Sequence, residues 1–359
     1  MKKITFLLVL VSFVSVAQHN EGSGVAKAPK EKSLKVSIKE YIDHHLLDSY
    51  DFALFSYKDS ENPEIKHHVG FPLPVILWDG GLKVFSSSQF HHGETLAEVD
   101  GNFYKLYHNK IYKTDAAGTI TYDAEHHATN VKPLDFSITK NVVFIFLVAV
   151  LMFFMFIRMA KSYKKGPIPA GMGRLLEPII LYIRDDIAIP NIGEKHYRRY
   201  MSYLLTVFFF VWIINLLGLT PLGVNVTNNI AVTFALALIT FVLTTATANK
   251  NYWGHIFWMP GVPKLMRIVL APIEVLGMVI KPFSLMIRLY ANITAGHIVL
   301  MSIIGLMFIF KSWIGSPLSF GLAFALSLLE LLVAALQAYI FTMLSALYFG
   351  SAVEEHDDH

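Results

Sequence analysis

A charged side chain lies in the middle of a long apolar run near the carboxyl end of the chain. This residue is Arg288, in the segment SLMIRLYANITAGHIVL. An arginine guanidinium keeps its charge because its pKa lies above about 12, so within a membrane it needs water, a carboxylate or a moving partner. Arg288 is therefore the first candidate functional residue, and the chemistry that it predicts is electrostatic interaction of a fixed positive charge with one of these partners.

Two apolar runs predict a long antiparallel helical hairpin around this arginine. They extend over residues 270–310 and 318–348, and the segment KSWIGSP between them contains Gly315 and Pro317, which favour a turn. Arg288 lies 25 residues before residue 313, which is about 37 Å of helix, whereas the hydrocarbon core of a membrane is about 30 Å thick. We therefore expect the hairpin to be steeply tilted.

The hairpin also gives each deep polar side chain a partner on the other helix. Folding the two runs about residue 313 places Arg288 opposite Gln337 and His297 opposite Glu330. Polar groups inside a membrane need such partners. Asn292 shares a helix face with Arg288, whereas His297 is nine residues away, about 13 Å along the axis and on the opposite side. We therefore predict separate roles for Arg288 and His297.

Composition and further apolar segments predict the fold class. The chain is 54% apolar and 16% charged, and its net charge of +3 is too small and too dispersed to indicate nucleic-acid binding. Cysteine is absent, which excludes disulfides and thiolate metal sites. Stretches at about 141–157, 203–219 and 230–248 have the length of spanning helices. The prediction is a mostly α-helical, polytopic membrane protein with five spans, plus an amphipathic surface helix over 172–187.

The amino terminus predicts export of the segment that follows it. Residues 1–17 combine two lysines, a short apolar core and the exit Ser15-Val16-Ala17, which is typical of a cleaved signal peptide; an uncleaved short anchor is the alternative. The basic cluster after the first span predicts a cytoplasmic end there. We expect three parts: a signal peptide (1–17), an extracytoplasmic segment (18–137), and a membrane domain with a cytoplasmic tail (138–359). The basic cluster after the first span consists of Arg158, Lys161, Lys164 and Lys165.

The exported segment predicts a small module of β-hairpins. A polar start is followed by an amphipathic pattern over residues 36–50 and then by residues with a period of two. The segments PVILW and LKVF flank a turn at Asp79-Gly80-Gly81, and FYKLY, KIYK and TITY follow. Histidine pairs occur at 44/45, 67/68, 91/92 and 126/127. Adjacent strand residues point to opposite faces, so we interpret the pairs as solvated surface and predict no metal site.

Several segments together resemble subunit a of the F-type ATP synthase. They are SLMIRLYANITAGHIVL, ELLVAALQAYIFTMLSALY followed by SAVEEH, NLLGLTPLGVNVTNNIAVT, and YIDHHL near the start. The resemblance covers residues 39–47 and nearly all of 139–356. Residues 72–133 and the signal peptide depart from the compact amino terminus that is common in the family. For these parts the resemblance carries no expectation.

The resemblance implies a stator protein beside a ring of c subunits in the bacterial inner membrane. It implies two aqueous half-channels that carry protons to and from the ring carboxylates, with Arg288 as the essential cation between them. His297 and Glu330 resemble the polar pair of the outer half-channel, and Asn292 and Gln337 resemble the polar neighbours of the arginine. Glu274 matches an acidic position of the inner half-channel; a structural ion pair with Lys281 is the alternative.

The implied partners are the c ring, the b subunits of the peripheral stalk and the catalytic head, with protons as the transported species. No cofactor is implied, and the chain alone is not expected to be a catalyst, because it is a proton-translocating component of a two-sector ATPase. The alternative from another class is a secondary ion transporter with its own site in mid-membrane. Such transporters usually contain internal repeats and matching broken helices, which this sequence lacks.

Overall fold

The described part of the chain begins with strands and continues as helices. The structure, a computed structural model, describes residues 48–58, 66–93, 95–123, 125, 127–164, 166, 171–220, 224, 226–258, 263–309 and 315–354. The predicted signal peptide and most of the predicted amphipathic helix, residues 36–47, lie outside these ranges. The last residues of that predicted helix, 48–50, are not helical and lead into the first strand. All described residues belong to one compact unit that begins at residue 40.

Within the described ranges, eight strands form three small antiparallel sheets. The sheet orders are β1-β2, β4-β3-β8 and β5-β6-β7. The strands are β1 Asp51–Lys58, β2 Lys66–Pro72, β3 Pro74–Trp78, β4 Leu82–Ser86, β5 Ala97–Val99, β6 Asn102–Tyr107, β7 Lys110–Thr114 and β8 Leu134–Asp135.

Two of the predicted hairpins are confirmed. Strands β3 and β4 pair about the turn at residues 79–81, where Gly80 has a φ of 66° that suits glycine. Strands β6 and β7 pair about His108 and Asn109, which have φ values of 45° and 54°. Two consecutive left-handed residues make a two-residue hairpin loop whose twist matches that of the strands. The period of two and the turn residues were therefore sufficient to predict these hairpins.

The predicted strand TITY, residues 119–122, is wrong. Within it, only Tyr122 pairs, in an isolated bridge with Ala128. The Thr119 N–H donates to Asp115 Oδ1 at 2.8 Å, and the Thr121 N–H donates to Asn130 Oδ1 at 2.8 Å. Side chains thus take the backbone donors that a strand ladder would need. The sequence pattern of alternating residues could not reveal this competition.

In the part of the chain that the structure describes, eight α-helices follow the strands. Five of them, α1, α4, α5, α7 and α8, are long and apolar enough to cross a membrane, which confirms the five predicted spans by length and composition. Helix α6 was not predicted. The helices are α1 Lys140–Tyr163, α2 Met172–Tyr182, α3 Ile189–Ile192, α4 Tyr197–Gly218, α5 Ile230–Thr247, α6 Lys250–Phe257, α7 Lys264–Ile309 and α8 Gly315–Val353.

The segment predicted as one amphipathic helix over 172–187 is instead α2 followed by a π-helical turn, Ile183–Ala188. Ile183 and Ile187 are fully buried in the same core as α4 and α8, while Asp185 and Asp186 are exposed. A π-turn changes the phase of the helix, so residues with a wider spacing than 3.6 can share one buried face. The segment therefore packs against the spanning helices in addition to presenting a polar face.

The helical core is built from α1, α4 and α8, with α5 alongside. Threonines of α5 donate to carbonyls of their own helix: Thr244 Oγ1 lies 2.7 Å from the Thr240 carbonyl and Thr247 Oγ1 2.7 Å from that of Leu243. Two tyrosines of α4 contact α5. The Tyr200 hydroxyl donates to Thr247 Oγ1 at 2.7 Å, and the Tyr203 hydroxyl lies 2.6 Å from Thr240 Oγ1. The core includes Phe144, Val148, Leu204, Val211, Phe341 and Phe349, with Phe52 and Leu73 from the strands.

Candidate functional site

Helices α7 and α8 form the predicted antiparallel hairpin. Asn292 Nδ2 donates to Gln337 Oε1 at 3.1 Å, and His297 Nδ1 lies 3.5 Å from Glu330 Oε1. The mean residue numbers of the two pairs are 314.5 and 313.5, close to the predicted turn at 313. Helix α7 ends at Ile309 and α8 begins within KSWIGSP. The hairpin and its approximate register were therefore predictable from the sequence.

The polar partner of Gln337 differs from the predicted one. We expected Arg288 opposite Gln337, whereas the hydrogen bond is made by Asn292, one helical turn further along α7. The reason is that the Asn292–Gln337 pair is centred at residue 314.5, whereas an Arg288–Gln337 pair would be centred at 312.5, and a shift of two residues in the centre moves the facing position on α7 by four. Gln337 is 1% exposed, and in the described part of the chain its Nε2 has no hydrogen-bond partner.

Arg288 lies close to the middle of α7 and is half-buried. The neighbouring Leu285 and Leu289 are buried, so one side of this turn packs against the protein. Among the described residues, the guanidinium makes no hydrogen bond and no ion pair. Its positive charge interacts electrostatically with the hydroxyl of Tyr348 in α8. This chain therefore supplies no carboxylate to neutralise Arg288 within the described ranges.

The predicted pair of His297 and Glu330 comes together in a buried part of the hairpin. The two residues are 4% and 5% exposed, and the distance of 3.5 Å between their facing atoms fits a charged or hydrogen-bonded pair. Gly296 packs against the carboxylate, since a Cβ at this position would lie in van der Waals contact with Glu330 Oε1, at 3.5 Å. The second carboxylate oxygen, Oε2, is buried without a hydrogen-bond partner in the described structure. A buried oxygen of this kind is a site for water.

A second polar group adjoins this pair and was not predicted. Thr294, three residues before His297 on α7, donates to Asn228 Oδ1. Thr227 Oγ1 donates to Asn215 Oδ1 at 2.9 Å, and both residues are buried. Thr227 and Asn228 belong to the segment NVTNN between α4 and α5. The three asparagines and one threonine of this segment were a signal for a polar group beside His297.

Another polar region lies on the amino-terminal side of Arg288. The Lys281 ammonium lies 5.6 Å from the centre of the Tyr348 ring and makes no ion pair with Glu274 in the described structure, so the alternative of a structural ion pair is not realised. Burial raises the pKa of Tyr252, and the negative charge of Glu274 adds to this effect.

A small cavity lies between α5, α6, α7 and α8. Its polar lining consists of Thr240, Thr244, Tyr252, Lys281, Tyr348 and Ser351.

The polar residues of α7 thus fall on two sides of Arg288. His297 and Thr294 lie toward the turn of the hairpin, whereas Glu274 and Lys281 lie toward the start of the helix. In the part of the chain searched, no cluster of three or more histidine, aspartate or glutamate residues could hold a metal ion. Along α7, polar side chains therefore lie on both sides of the Arg288 guanidinium.

Comparison with known proteins identifies the family. The family described as ATP synthase A chain matches residues 142–350, which is more than half of the chain and includes the whole of both polar regions of α7. The chain belongs to the ATP synthase A chain family. A separate family, described only as a domain of unknown function, matches residues 41–136. The strand-rich module is thus distinct in sequence from the part that defines the A chain family.

Individual relatives agree with this assignment to the A chain family. The chain is 43% identical to ATP synthase subunit a of Chloroherpeton thalassium over 233 residues, which is 63% of this chain and 69% of the relative. It is 43% identical to ATP synthase subunit a of Myxococcus xanthus, over 63% of this chain and 77% of the relative. A further similarity extends into the strand-rich module. ATP synthase subunit a 2 of Prosthecochloris aestuarii is 36% identical over 80% of this chain and 92% of its own length.

Proposed function

We propose that this chain is the subunit a of an ATP synthase that carries protons through two aqueous half-channels to and from carboxylates on a ring of c subunits. Arg288 separates the half-channels and couples proton flow to rotation and ATP synthesis. The observation that carries the proposal is the position of Arg288: polar groups lie on both sides of it along α7, and it has no anionic partner in the described chain. Its carboxylate partner is then on another subunit.

The fixed cation acts through electrostatics. A carboxylate on the ring must be neutral to move through lipid, and a nearby positive charge favours its ionised form and lowers its pKa. Two unit charges 4 Å apart interact by about 4 kcal/mol at an effective dielectric constant of 20, which corresponds to about 3 pKa units. Arg288 therefore forces each arriving carboxylate to release its proton to one half-channel and prevents direct exchange between the two.

His297 and Glu330 serve as proton-relay groups of the outer half-channel in this proposal. An imidazole exchanges protons near neutral pH, and an adjacent carboxylate stabilises its charged form. The buried Glu330 Oε2 and Gln337 Nε2, which lack protein partners in the described structure, support a path that contains water. Asn292, hydrogen-bonded to Gln337, keeps the amide group oriented beside the arginine. These residues together lead from the turn side of α7 toward Arg288.

Glu274 serves the inner half-channel. Its charge acts on Tyr252, which lines the cavity between α5, α6, α7 and α8, and it is not held in an ion pair with Lys281. The carboxylate is thus available to accept and pass on protons at the start of α7. The inner path then approaches Arg288 from the side opposite to His297.

The length of the hairpin supports its tilt. The 46 residues of α7 measure about 69 Å and the 39 residues of α8 about 58 Å, against a hydrocarbon core of about 30 Å. An inclination of about 60° from the membrane normal fits both helices into such a layer. In this orientation the hairpin presents a long side to a rotating ring, which is the geometry that a stator requires.

The remaining features of the proposal concern placement and assembly. The signal peptide over residues 1–17 is cleaved, residues 18–137 lie outside the cytoplasm, and the membrane domain over 138–359 ends in a cytoplasmic tail. The basic residues at the end of α1, Arg158 and Lys161, support a cytoplasmic position for that end. The chain functions in the bacterial inner membrane with the c ring, the b subunits and the catalytic head. No observation favours the alternative of a secondary transporter.

ATP-driven proton pumping by vesicles that contain the assembled complex tests the role of Arg288. Arg288→Ala should abolish pumping without loss of assembly, because no cation then forces the ring carboxylate to release its proton. Ser302→Ala is the matched control, since Ser302 is exposed and its hydroxyl donates to the Ile298 carbonyl of its own helix at 2.6 Å. Coupled pumping that survives in the Arg288→Ala complex overturns the proposal.

A further inference from the structure

One sheet of the strand-rich module has an apolar face that is exposed. In the sheet β4-β3-β8, Trp78 pairs with Leu82 on one side and with Leu134 on the other, and Ile76 pairs with Val84. Alternate residues of a strand point to the same face, so these side chains share one surface with Phe136, whose N–H donates to the Ile76 carbonyl. We call this surface the apolar sheet face. It consists of Ile76, Trp78, Leu82, Val84, Leu134 and Phe136.

The apolar sheet face is not the core of the module. The opposite face of the same sheet carries Val75, Leu77 and Phe85, which are buried in a cluster with Phe90 and Tyr104. On the apolar sheet face, by contrast, the exposed fractions are 54% for Trp78, 63% for Leu82, 59% for Val84, 63% for Leu134 and 64% for Phe136. A contiguous apolar surface of this kind marks an interaction site in proteins that face water.

Charged groups near this surface are held away from it. Lys83 lies on the opposite face and is 7% exposed, with its ammonium 5.5 Å from the centre of the Tyr104 ring. Asp135, between Leu134 and Phe136, accepts hydrogen bonds from the Tyr50 hydroxyl and from the Ser137 N–H. No charged residue occupies any of the six positions of the apolar sheet face. The chemistry of its occupant is therefore apolar.

The apolar sheet face is fixed to the start of the first spanning helix. Phe136 precedes Lys140, the first residue of α1, by four residues, a distance of at most about 14 Å. The connection is tied down, because the Ile138 N–H donates to the Pro74 carbonyl at 3.1 Å and the Lys140 N–H to the Ser49 carbonyl at 2.9 Å. The sheet thus has a defined position at the membrane end of α1.

Exposed apolar residues continue directly from the sheet onto α1. Val142 is 46%, Phe146 71% and Leu147 48% exposed, and they belong to a helix long and apolar enough to span a membrane. Tryptophan and other aromatic side chains are favoured at the boundary between lipid headgroups and acyl chains. The surface that continues from a spanning helix through Phe136 to Trp78 fits this boundary.

We propose that the apolar sheet face rests in the interfacial layer of the lipid bilayer and anchors the module against the membrane surface at the amino-terminal end of α1. Trp78 and Phe136 enter the boundary between headgroups and acyl chains, and Leu82, Val84 and Leu134 cover the lipid around them. This inference does not rest on the proton path, because it uses only the sheet and its connection to a spanning helix.

Site-directed spin labelling tests the proposal, since the chain contains no cysteine. The probe is a nitroxide at Leu82→Cys, and the matched control is a nitroxide at Glu98→Cys, an exposed position on β5 of the neighbouring sheet. The complete complex, with no reactive cysteine in its other subunits, is placed in vesicles of phosphatidylcholine and phosphatidylglycerol. The accessibility of each label to oxygen, which partitions into lipid, and to a water-soluble nickel chelate is then measured.

For a face in the bilayer interface, the oxygen-to-nickel ratio at Leu82→Cys is several-fold higher than at Glu98→Cys. Equal ratios at the two positions place the face in water and overturn the proposal. Low accessibility of the Leu82→Cys label to both reagents means that protein covers the face, which also overturns it.

A second variant separates insertion from local effects of the label. Trp78→Ser together with Val84→Ser removes two exposed apolar side chains and leaves the core of the module unchanged. In this background the nickel accessibility at Leu82→Cys should rise toward the value of the Glu98→Cys control. An unchanged ratio would show that the apolar sheet face does not hold the label in lipid, and would contradict the proposal.

Discussion

Nine residues separate Arg288 from His297 on α7, so the two side chains lie on opposite sides of an ideal helix. The pairing of His297 with Glu330 was predictable because a hairpin about residue 313 brings them together, and their facing atoms are 3.5 Å apart. The partner of Gln337 was not predictable, because a shift of two residues in the centre of the hairpin moves the position that faces Gln337 by four residues, from Arg288 to Asn292. At the scale of single residues, the sequence thus identifies the polar set more reliably than the individual contacts.

The buried pair leads to a prediction about shared function. His297→Ala and Glu330→Ala should each slow proton passage by about 100-fold, because each removes one group of a proton relay. The double variant should be little slower than either single variant, since residues that act in one path are not additive. The measurement is the initial rate of ATP-driven proton uptake by vesicles.

Ser327→Ala is the control for this pair. Ser327 lies three residues before Glu330 on α8, and its hydroxyl donates to the Ala323 carbonyl of its own helix at 2.9 Å. We expect its rate to match that of the unmodified complex. Fully additive losses in the His297 and Glu330 variants would show that the two residues belong to different paths.

Asp79 leads to a prediction about pH within the strand-rich module. Its carboxylate accepts hydrogen bonds from the Lys113 ammonium and the Tyr104 hydroxyl, each at 2.8 Å, and these contacts lower its pKa. A lowered pKa in the folded state means that the stabilisation is complete above the ordinary aspartate pKa and is lost only as the pH falls through the lowered value. The contribution should therefore be constant between about pH 6 and 8.

Hydrogen exchange of strand amides in the intact complex measures this contribution. Asp79→Asn should reduce the protection of Pro74–Trp78 and Lys110–Thr114 about fivefold, which corresponds to about 1 kcal/mol for a largely accessible pair. The same ratio is expected at pH 6 and pH 8, and Glu98→Gln, an exposed residue, should leave protection unchanged. A ratio that disappears between pH 8 and pH 6 would contradict the direction of the pKa shift.

At the scale of elements, prediction succeeded where one physical rule dominates. Apolar length predicted all five spans, and the period of two with its turn residues predicted β3, β4, β6 and β7. It failed where side chains compete with the backbone, as Asn130 does with the predicted strand TITY, and where a π-turn changes the helical phase after α2. Strands β1, β2, β5 and β8 were missed, since β5 and β8 contain only three and two residues and β1 and β2 do not alternate clearly.

The crossing of α8 with α3 leads to a prediction about packing. Gly350 approaches the backbone of α3 so closely that a Cβ would lie 1.9 Å from the Asn191 carbonyl oxygen. A backbone atom cannot move aside cheaply, so Gly350→Ala should destabilise the packing of α8 by about 1–3 kcal/mol. The expected result is a lower temperature at which half of the complex remains monodisperse in detergent.

Gly321→Ala is the matched control on the same helix. No atom lies within 4 Å of a Cβ at this position, and alanine favours a helix over glycine by about 1 kcal/mol. Its complex should be as stable as the unmodified one or slightly more stable. If Gly350→Ala were equally harmless, the close approach of α8 and α3 would be wrong.

At the scale of the whole molecule, two family matches lie side by side in one chain. The A chain family matches residues 142–350, which include Arg288 and the polar residues of α7, whereas a domain of unknown function matches the strand-rich module over 41–136. The structure joins them through hydrogen bonds at the start of α1 and through Phe52 and Leu73, which enter the helical core. The sequence could not predict this junction, because its contacts link residues about 90 positions apart, as between Asp48 and Asn141.

The passive proton permeability of vesicles with a locked catalytic head tests the central claim most directly. When the head cannot turn, the ring cannot rotate, and an intact barrier between the half-channels keeps the vesicles proton-tight. Arg288→Ala should make them leak down an imposed pH gradient, because one ring carboxylate can then exchange protons with both half-channels; vesicles with Ser302→Ala should stay tight. Arg288→Ala vesicles that remain as tight as the unmodified ones would contradict the claim that Arg288 separates the two proton paths.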